Sequence, residues 1–207
     1  MQTADTGDHS EAGRATAKPN RRASQRHLAV CRTARVMRAG DAGLWRVRNI
    51  SDTGMMLAAD VPLRIGERLQ IALSESTTLR GSIKWAEGGR CGVAFDETID
   101  AAALLRQLAD EQRSAGYRAF RLPVEIEAIL LLRSDAVAID LVDISQHGAG
   151  YRCSERLEPG SEVEILLPGE TNRRRALVRW SRRQRGGLWF AEPLDRTSLE
   201  SVARLRR

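Results

Sequence analysis

Two short stretches of the chain carry the side chains best suited to ligand chemistry. Residues 21–26 read RRASQR, which places three guanidinium groups within six residues. Residues 49–54 read NISDTG and offer an amide, a hydroxyl and a glycine. Guanidinium groups bind phosphates through paired hydrogen bonds and stack on flat rings, and an amide can pair with the edge of a base. Together the two stretches predict a site for one phosphate-containing ligand. The predicted ligand residues are Arg21, Arg22, Arg26, Asn49, Ser51 and Gly54.

Each stretch also has an ordinary explanation. Of the 33 basic residues only Lys18 and Lys84 are lysines, so two arginines four residues apart are common in this chain. In N-x-S-x-x-G the Asn and Ser side chains often bond to their own backbone and simply form a turn. The placement of the charge is not explained in this way, because residues 14–38 contain eight basic residues and no acidic one.

The elements that position these stretches are predicted to be short strands. Residues 1–20 are polar and predict a disordered tail. From residue 29 onward, apolar residues alternate in short runs separated by glycine-containing turns, which is typical of half-buried strands. One run places Leu79, Ile83 and Trp85 on its inner face, where the tryptophan is expected to pack. Six such strands predict a small all-β barrel or sandwich.

A helix is predicted after the sixth strand, at about residues 98–114, with Thr98 as its cap. The whole pattern then recurs 94 or 95 residues later. The recurring pairs are Arg26 and Arg121, Asn49 and Asp143, Ser51 and Ser145, Gly54 and Gly148, Gly66 and Gly160, Trp85 and Trp180, and Phe95 and Phe190. A constant offset predicts a tandem duplication. The predicted domain 1 spans residues 21–114 and domain 2 spans residues 115–207, with a second closing helix at about 196–207.

The order of these motifs resembles the PilZ domain family. The matching pieces are R-x-x-x-R at residues 22–26, N-x-S-x-x-G about 23 residues later, a turn at Gly66, a strand ending in Trp85 and a final G-x-x-F strand at residues 92–95. The full motif lies within residues 21–109, and its second half recurs within residues 116–207. The resemblance therefore covers nearly the whole chain except the tail.

The resemblance implies two tandem six-stranded β-barrels, each followed by a C-terminal α-helix, and binding of cyclic di-GMP, a bacterial second messenger. It implies that residues 21–26, called the arginine segment from here on, contact phosphates and guanines and that the N-x-S-x-x-G turn holds a guanine. Family members with an arginine before R-x-x-x-R tend to bind a stacked ligand pair, so Arg21 predicts two nucleotides in domain 1. Residues 14–26 are expected to become ordered on the ligand, as in other order–disorder switches.

Domain 2 departs from the family pattern in its arginine segment. When Arg121 is aligned on Arg26, Tyr117 stands where Arg22 does. A phenol cannot replace a bidentate fork, although it can stack on a base. Domain 2 is therefore expected to be a degenerate or weak site that serves as a scaffold or as a surface for a protein effector. The residues of this weaker site are Tyr117, Arg121, Asp143, Ser145 and Gly148.

Several other classes of protein are disfavoured by the sequence. It contains no Ser-His-Asp set, P-loop or spaced carboxylate pair, so we expect no enzyme and no cofactor. The three cysteines and three histidines show no metal-ligand spacing. No apolar run approaches the roughly 20 residues of a membrane helix, and the first residues are not a secretory leader. We therefore expect no metal, no membrane insertion and a cytoplasmic location.

Two alternatives to the receptor stay open. The first is a PilZ-like adaptor that contacts other proteins and has lost ligand binding. The second is a basic nucleic-acid-binding module, which the aromatic content of 4% disfavours because stacking platforms need exposed rings. Neither the protein partner nor the oligomeric state can be inferred from the residues.

Overall fold

The computed structural model describes residues 27–115, 119–132, 135–168 and 170–206. The predicted tail at residues 1–20 lies outside these ranges, as do Arg21, Arg22, Arg26 and Tyr117. The described chain forms two closed antiparallel barrels of six strands each. The predicted pair of tandem six-stranded β-barrels is thereby confirmed.

The first barrel closes in the strand order β1-β2-β3-β6-β5-β4. Its strands are β1 His27–Arg38, β2 Asp41–Ser51, β3 Gly54–Ala58, β4 Arg68–Ala72, β5 Thr78–Glu87 and β6 Arg90–Phe95. Successive side chains of a strand point to opposite faces, so alternate apolar residues meet inside the barrel. Trp45, Leu57, Ile71 and Ile83 are among the residues of this buried core.

The second barrel repeats the same neighbours in the order β10-β11-β12-β9-β8-β7. Its strands are β7 Leu122–Leu131, β8 Ala136–Ser145, β9 Gly148–Arg152, β10 Glu162–Leu166, β11 Arg174–Arg182 and β12 Arg185–Phe190. Alternation along β7 buries Val124, Ile126, Ala128 and Leu130.

The two cores are filled differently at one matched position. In the first barrel Leu57 pairs with Cys91 across β3 and β6. In the second barrel Tyr151 pairs with Gly186 and fills the space that a side chain there would need, since a Cβ would lie 2.1 Å from the phenol. Burial raises the pKa of the Cys91 thiol to about 11, so this core thiol stays protonated at neutral pH.

The helix α1, Ala101–Ala115, follows the first barrel. Its N-cap is Asp100 rather than the predicted Thr98, because Asp100 Oδ1 accepts the Ala103 N–H at 2.8 Å. Asp52, in the β2–β3 turn, accepts the Ala101 N–H at 3.1 Å. The first turn of the helix is therefore tied to the turn that carries the predicted ligand residues.

The segment after the second barrel differs from the α-helix predicted at about 196–207. It forms two short 3₁₀ helices, Thr197–Glu200 and Val202–Arg206. Ser201 between them has extended backbone angles of φ −153° and ψ 125°, which interrupt helical hydrogen bonding. Leu199, Val202 and Leu205 are buried in the core of the second barrel.

This closing segment also joins the two barrels through β2. The Glu200 carbonyl accepts the buried Trp45 Nε1–H at 2.8 Å, and the Glu200 carboxylate accepts the Asp60 N–H at 2.6 Å. Ser201 Oγ donates to Asp41 Oδ2 at 2.7 Å. The first half of β2 thus forms the domain interface, while its second half leads into the β2–β3 turn.

Candidate functional site

The β2–β3 turn of the first barrel brings together the predicted ligand residues that the structure describes. Ser51 and Gly54 pair across the turn, and Ser51 Oγ donates to the Gly54 carbonyl at 3.1 Å. A Cβ at position 54 would lie only 2.3 Å from the carbonyl oxygen of Val93 on β6. The serine and the glycine therefore fix the turn against the neighbouring strand.

The β8–β9 turn of the second barrel has the same geometry. Ser145 Oγ donates to the Gly148 carbonyl at 3.1 Å, and a Cβ at position 148 would lie 2.1 Å from the Leu188 carbonyl oxygen. Because both copies use these residues in the same way, the serine and the glycine shape the turn in each barrel and do not distinguish the two sites. The residue that can distinguish the two sites is the first of the motif, Asn49 or Asp143.

Asn49 lies near the end of β2 and is only 8% exposed to solvent. Within the described residues its side-chain amide has no hydrogen-bond partner, and its polar atoms are not among those fully shielded from solvent. An amide at low exposure is stabilised when a partner pairs with its donors and its acceptor, because an unpaired polar group that is shielded from water is energetically costly. Asn49 is therefore available to an incoming ligand.

The register of β1 places its first residue, which follows the arginine segment in the sequence, beside the strand end that leads into this turn. Strand β1 begins at His27, which pairs with Ile50, and Leu28 pairs with Asn49. Arg26 directly precedes His27 in the sequence, and adjacent α-carbons are about 3.8 Å apart. The covalent chain thus holds Arg26 within one residue of the strand pair that ends in Asn49 and Ser51.

In the second barrel the corresponding arginine, Arg121, lies within the described residues and is already paired. The Arg121 guanidinium forms an ion pair with the carboxylate of Asp143, which also accepts the Gly150 N–H at 3.0 Å. The Arg121 carbonyl in turn accepts Arg35 Nη1–H at 3.4 Å. The retained arginine and the retained acid of this half-motif therefore neutralise each other.

The matched tryptophans Trp85 and Trp180 lie on the outer surface of their barrels, contrary to the predicted packing of Trp85 inside. A β-bulge between Ile83 and Trp85 shifts the register of β5 by one residue, which reverses the alternation and turns Trp85 outward. Trp85 is 43% exposed and Trp180 is 45% exposed. The signal that the sequence offered was the glycine opposite each tryptophan, Gly92 and Gly187, over which the indole lies.

A cavity of about 260 Å³ lies between the two barrels and is separate from the β2–β3 turn. Its lining includes Leu44, Arg46, Phe120, Gln146 and Arg196. Of the predicted ligand residues that the structure describes, none lines it. Gln146 belongs to the β8–β9 turn of the second barrel, so the cavity reaches one end of the weaker site.

No group of three or more His, Cys, Asp or Glu side chains in the described ranges could hold a metal ion. Among the helices described, none is long and apolar enough to cross a membrane.

Comparison with known proteins identifies one family. The family model described as the PilZ domain matches residues 20–111 and again residues 112–206. No curated protein matches the chain.

Among solved structures, PlzA of Borreliella burgdorferi in complex with c-di-GMP is 13% identical, with a TM-score of 0.37, and the match covers 84% of this chain and 87% of that one. The Bacillus subtilis inhibitor of motility is 10% identical, with a TM-score of 0.34 and coverage of 84% and 94%. YcgR of Escherichia coli in complex with c-di-GMP is 13% identical, with a TM-score of 0.29 and coverage of 77% and 76%. At such identities and TM-scores, these likenesses say nothing about the ligand of this chain.

Proposed function

The chain belongs to the PilZ domain family, and from that premise we propose that it is a non-catalytic receptor for cyclic di-GMP. The ligand binds to domain 1, between the arginine segment and the β2–β3 turn. The residues proposed to hold it are Arg21, Arg22, Arg26, Asn49, Ser51 and Gly54.

The observation that carries this proposal is the register of β1. Strand β1 starts one residue after Arg26 and pairs with the strand end that carries Asn49, which supports a site in which the guanidinium groups and the Asn49 amide contact one ligand. The guanidinium groups suit phosphates, because the fork of an arginine matches two phosphate oxygens. The Asn49 amide suits the edge of a guanine, because an amide both donates and accepts hydrogen bonds.

Domain 2 is proposed to be a scaffold or effector surface with at most weak ligand binding. Its Arg121 is already paired with Asp143, and a ligand phosphate would have to break that pair. The closing segment supports the scaffold role, since Glu200 and Ser201 hold β2 of domain 1.

The proposed mechanism is an ordering of residues 14–26 on the ligand. These residues are strongly cationic, and phosphates would neutralise the charge that opposes their approach to the barrel. The ordered segment would change the surface offered to a protein effector. The effect could also pass along β2, whose two ends carry the ligand turn and the domain interface.

Calorimetric titration of cyclic di-GMP against three chains tests the proposal. We expect the wild type to bind two nucleotides per chain, Arg22→Ala to lose binding and Asp143→Ala to retain it. Hydrogen exchange in residues 14–30 should slow on adding ligand to the wild type. Absence of binding to the wild type would favour an adaptor that works without a ligand, and loss of binding in Asp143→Ala alone would assign the site to domain 2.

A further inference from the structure

The outer face of the second barrel carries a row of three arginines on three neighbouring strands. Arg152 on β9 pairs with Arg185 on β12, which pairs with Arg182 on β11. Directly paired residues point to the same side of a sheet with Cβ atoms about 5 Å apart. All three side chains are exposed, and within the described ranges none forms an ion pair. Asp140 on β8 is the acid aligned with the row, opposite Arg152.

Two further arginines extend the row from unusual backbone positions. Arg179 occupies a β-bulge between Val178 and Trp180. Arg183, in the β11–β12 turn, has a φ of 52°, a left-handed conformation that residues with a side chain rarely adopt. The matched residue of the first barrel is Gly88, with a φ of 55°. We call the five residues Arg152, Arg179, Arg182, Arg183 and Arg185 the arginine face.

The first barrel provides an internal control for this surface. The same five positions there are Ala58, Lys84, Glu87, Gly88 and Arg90. Their net charge is +1, against +5 for the arginine face. Since the same barrel forms with either set, the fold does not require the arginines. Like charges on neighbouring strands also destabilise a sheet, and a left-handed arginine at a glycine position adds strain.

Two exposed tryptophans lie beside the arginine face. Trp180 and Trp189 are each 45% exposed. Trp180 pairs with Gly187 on β12, and Trp189 is two residues further along that strand. The first barrel has Ala94 at the position of Trp189, so the second indole is a feature of domain 2 alone.

We propose that the arginine face and the two adjacent indoles bind single-stranded nucleic acid. Guanidinium forks would hold successive phosphates, and the indoles would stack on bases. An acidic protein segment would use the charges but gain less from two exposed indoles. The aromatic content of 4% disfavours nucleic acid for the chain as a whole, but Trp180 and Trp189 supply exposed stacking surfaces directly beside the arginine face. This surface does not include Asn49 or the arginine segment, and the proposal is independent of cyclic di-GMP.

Fluorescence anisotropy with a labelled oligothymidylate of about 12 nucleotides tests the proposal on the full, ligand-free chain. The test variant is Arg182→Glu with Arg185→Glu. The matched control is Arg80→Glu with Arg90→Glu, which removes two exposed arginines from the first barrel and changes the net charge equally. We expect the test variant to bind at least tenfold more weakly. The slope of log Kd against log salt should also fall by about 1.4, corresponding to two phosphate contacts on a single strand.

The stacking contribution is tested by Trp189→Ala, which installs the residue that the first barrel carries at this position. We expect affinity for oligothymidylate to fall about tenfold with an unchanged salt slope. Equal losses in the test and control charge variants would overturn the proposal, because net charge alone would then explain binding. Binding of polyglutamate as tightly as oligothymidylate would replace it with an acidic protein partner. Absence of binding at about 100 µM protein would also overturn it.

Discussion

The two β-turns that carry the N/D-x-S-x-x-G motif share the contacts of their serine and glycine and differ in the first residue of the motif. Ser51 and Ser145 each donate a 3.1 Å hydrogen bond to the carbonyl of the glycine in their turn. Gly54 and Gly148 each leave no room for a Cβ, because the matched carbonyl of the paired strand, Val93 or Leu188, is too close. Of the three residues that define the motif, only the leading one differs. It is an amide without a side-chain partner among the described residues in one copy and a carboxylate paired with Arg121 in the other. In a duplicated fold, residues that make the same contacts in both copies indicate what the barrel requires, and residues that differ between the copies indicate what is specific to each one.

The same comparison separates the two surfaces that we propose to be functional. Domain 1 has the arginine segment directly before β1 in the sequence, and domain 2 has the arginine face on strands β9, β11 and β12 and on the β11–β12 turn. Only one arginine of each set recurs in the other copy, Arg26 as Arg121 and Arg185 as Arg90. Each barrel is therefore the natural control for the other.

The largest effect is expected from Arg22→Ala. Loss of a bidentate phosphate contact, with two charge-assisted hydrogen bonds of about 1.5–3 kcal/mol each, should weaken cyclic di-GMP binding by more than about 100-fold, which appears in calorimetry as a loss of binding. Arg121→Ala changes the matched arginine of domain 2 and should leave this affinity unchanged. A similar loss in both variants would mean that the two barrels do not differ as ligand sites.

The second prediction concerns alkaline stability of the first core. An unfolded thiol loses its proton near pH 9, but the buried Cys91 thiol holds it to about 11. Between these values the unfolded state binds fewer protons, so the free energy of unfolding falls as pH rises, by roughly 2–3 kcal/mol. Cys91→Ala should remove this part of the loss when unfolding in urea is compared at pH 9 and pH 11. A curve for Cys91→Ala parallel to that of the wild type would contradict the assignment.

Gly54→Ala and Gly148→Ala should destabilise the two barrels alike. Each new Cβ would meet a backbone carbonyl well inside contact distance, and we expect a loss of about 1–3 kcal/mol from the resulting overpacking. Urea unfolding measures both. Gly40→Ala is the control that separates backbone strain from steric overlap. Its φ of 74° is left-handed, but its Cβ would meet nothing within 4 Å. A loss confined to Gly54→Ala would show that the shared geometry does not carry equal weight.

The smallest effect is expected from Asn49→Ala. It removes one amide from the ligand and should weaken cyclic di-GMP binding about tenfold, equivalent to roughly 1.4 kcal/mol. Asp143→Ala, the matched change, should leave ligand affinity unaltered and only release Arg121. Calorimetry on both variants checks this, and an Asn49→Ala chain that binds like the wild type would remove the amide from the site.

The barrels and their repetition were predictable because alternation and a constant offset are properties of the sequence itself. Val124, Ile126 and Ala128 are buried as the alternation requires. Trp85 was wrongly placed inside, because a bulge adds one residue to a strand without any reliable local signal. Its repetition at Trp180, each time opposite a glycine, is visible only when the copies are compared.

The closing segment escaped prediction because its structure depends on the other barrel. The spacing of Leu199, Val202 and Leu205 is compatible with a helix, but Ser201 is extended where it bonds to Asp41. The helix cap was misplaced for a related reason. Thr98 and Asp100 are both good caps, and only the distance from Asp100 to the Ala103 N–H decides between them.

The joint between the barrels has a consequence for how the protein is made. Residues 197–206 are translated after both barrels, and N-terminal domains generally fold first during synthesis. The edge of β2 at Ala42 and Trp45 therefore stays uncovered, with the Trp45 indole N–H lacking its Glu200 acceptor, until the second barrel has been completed. A chain that stops before residue 197 keeps this apolar edge exposed, and exposed apolar edges favour aggregation or degradation. The first barrel is therefore covered at β2 only after the second barrel has been completed.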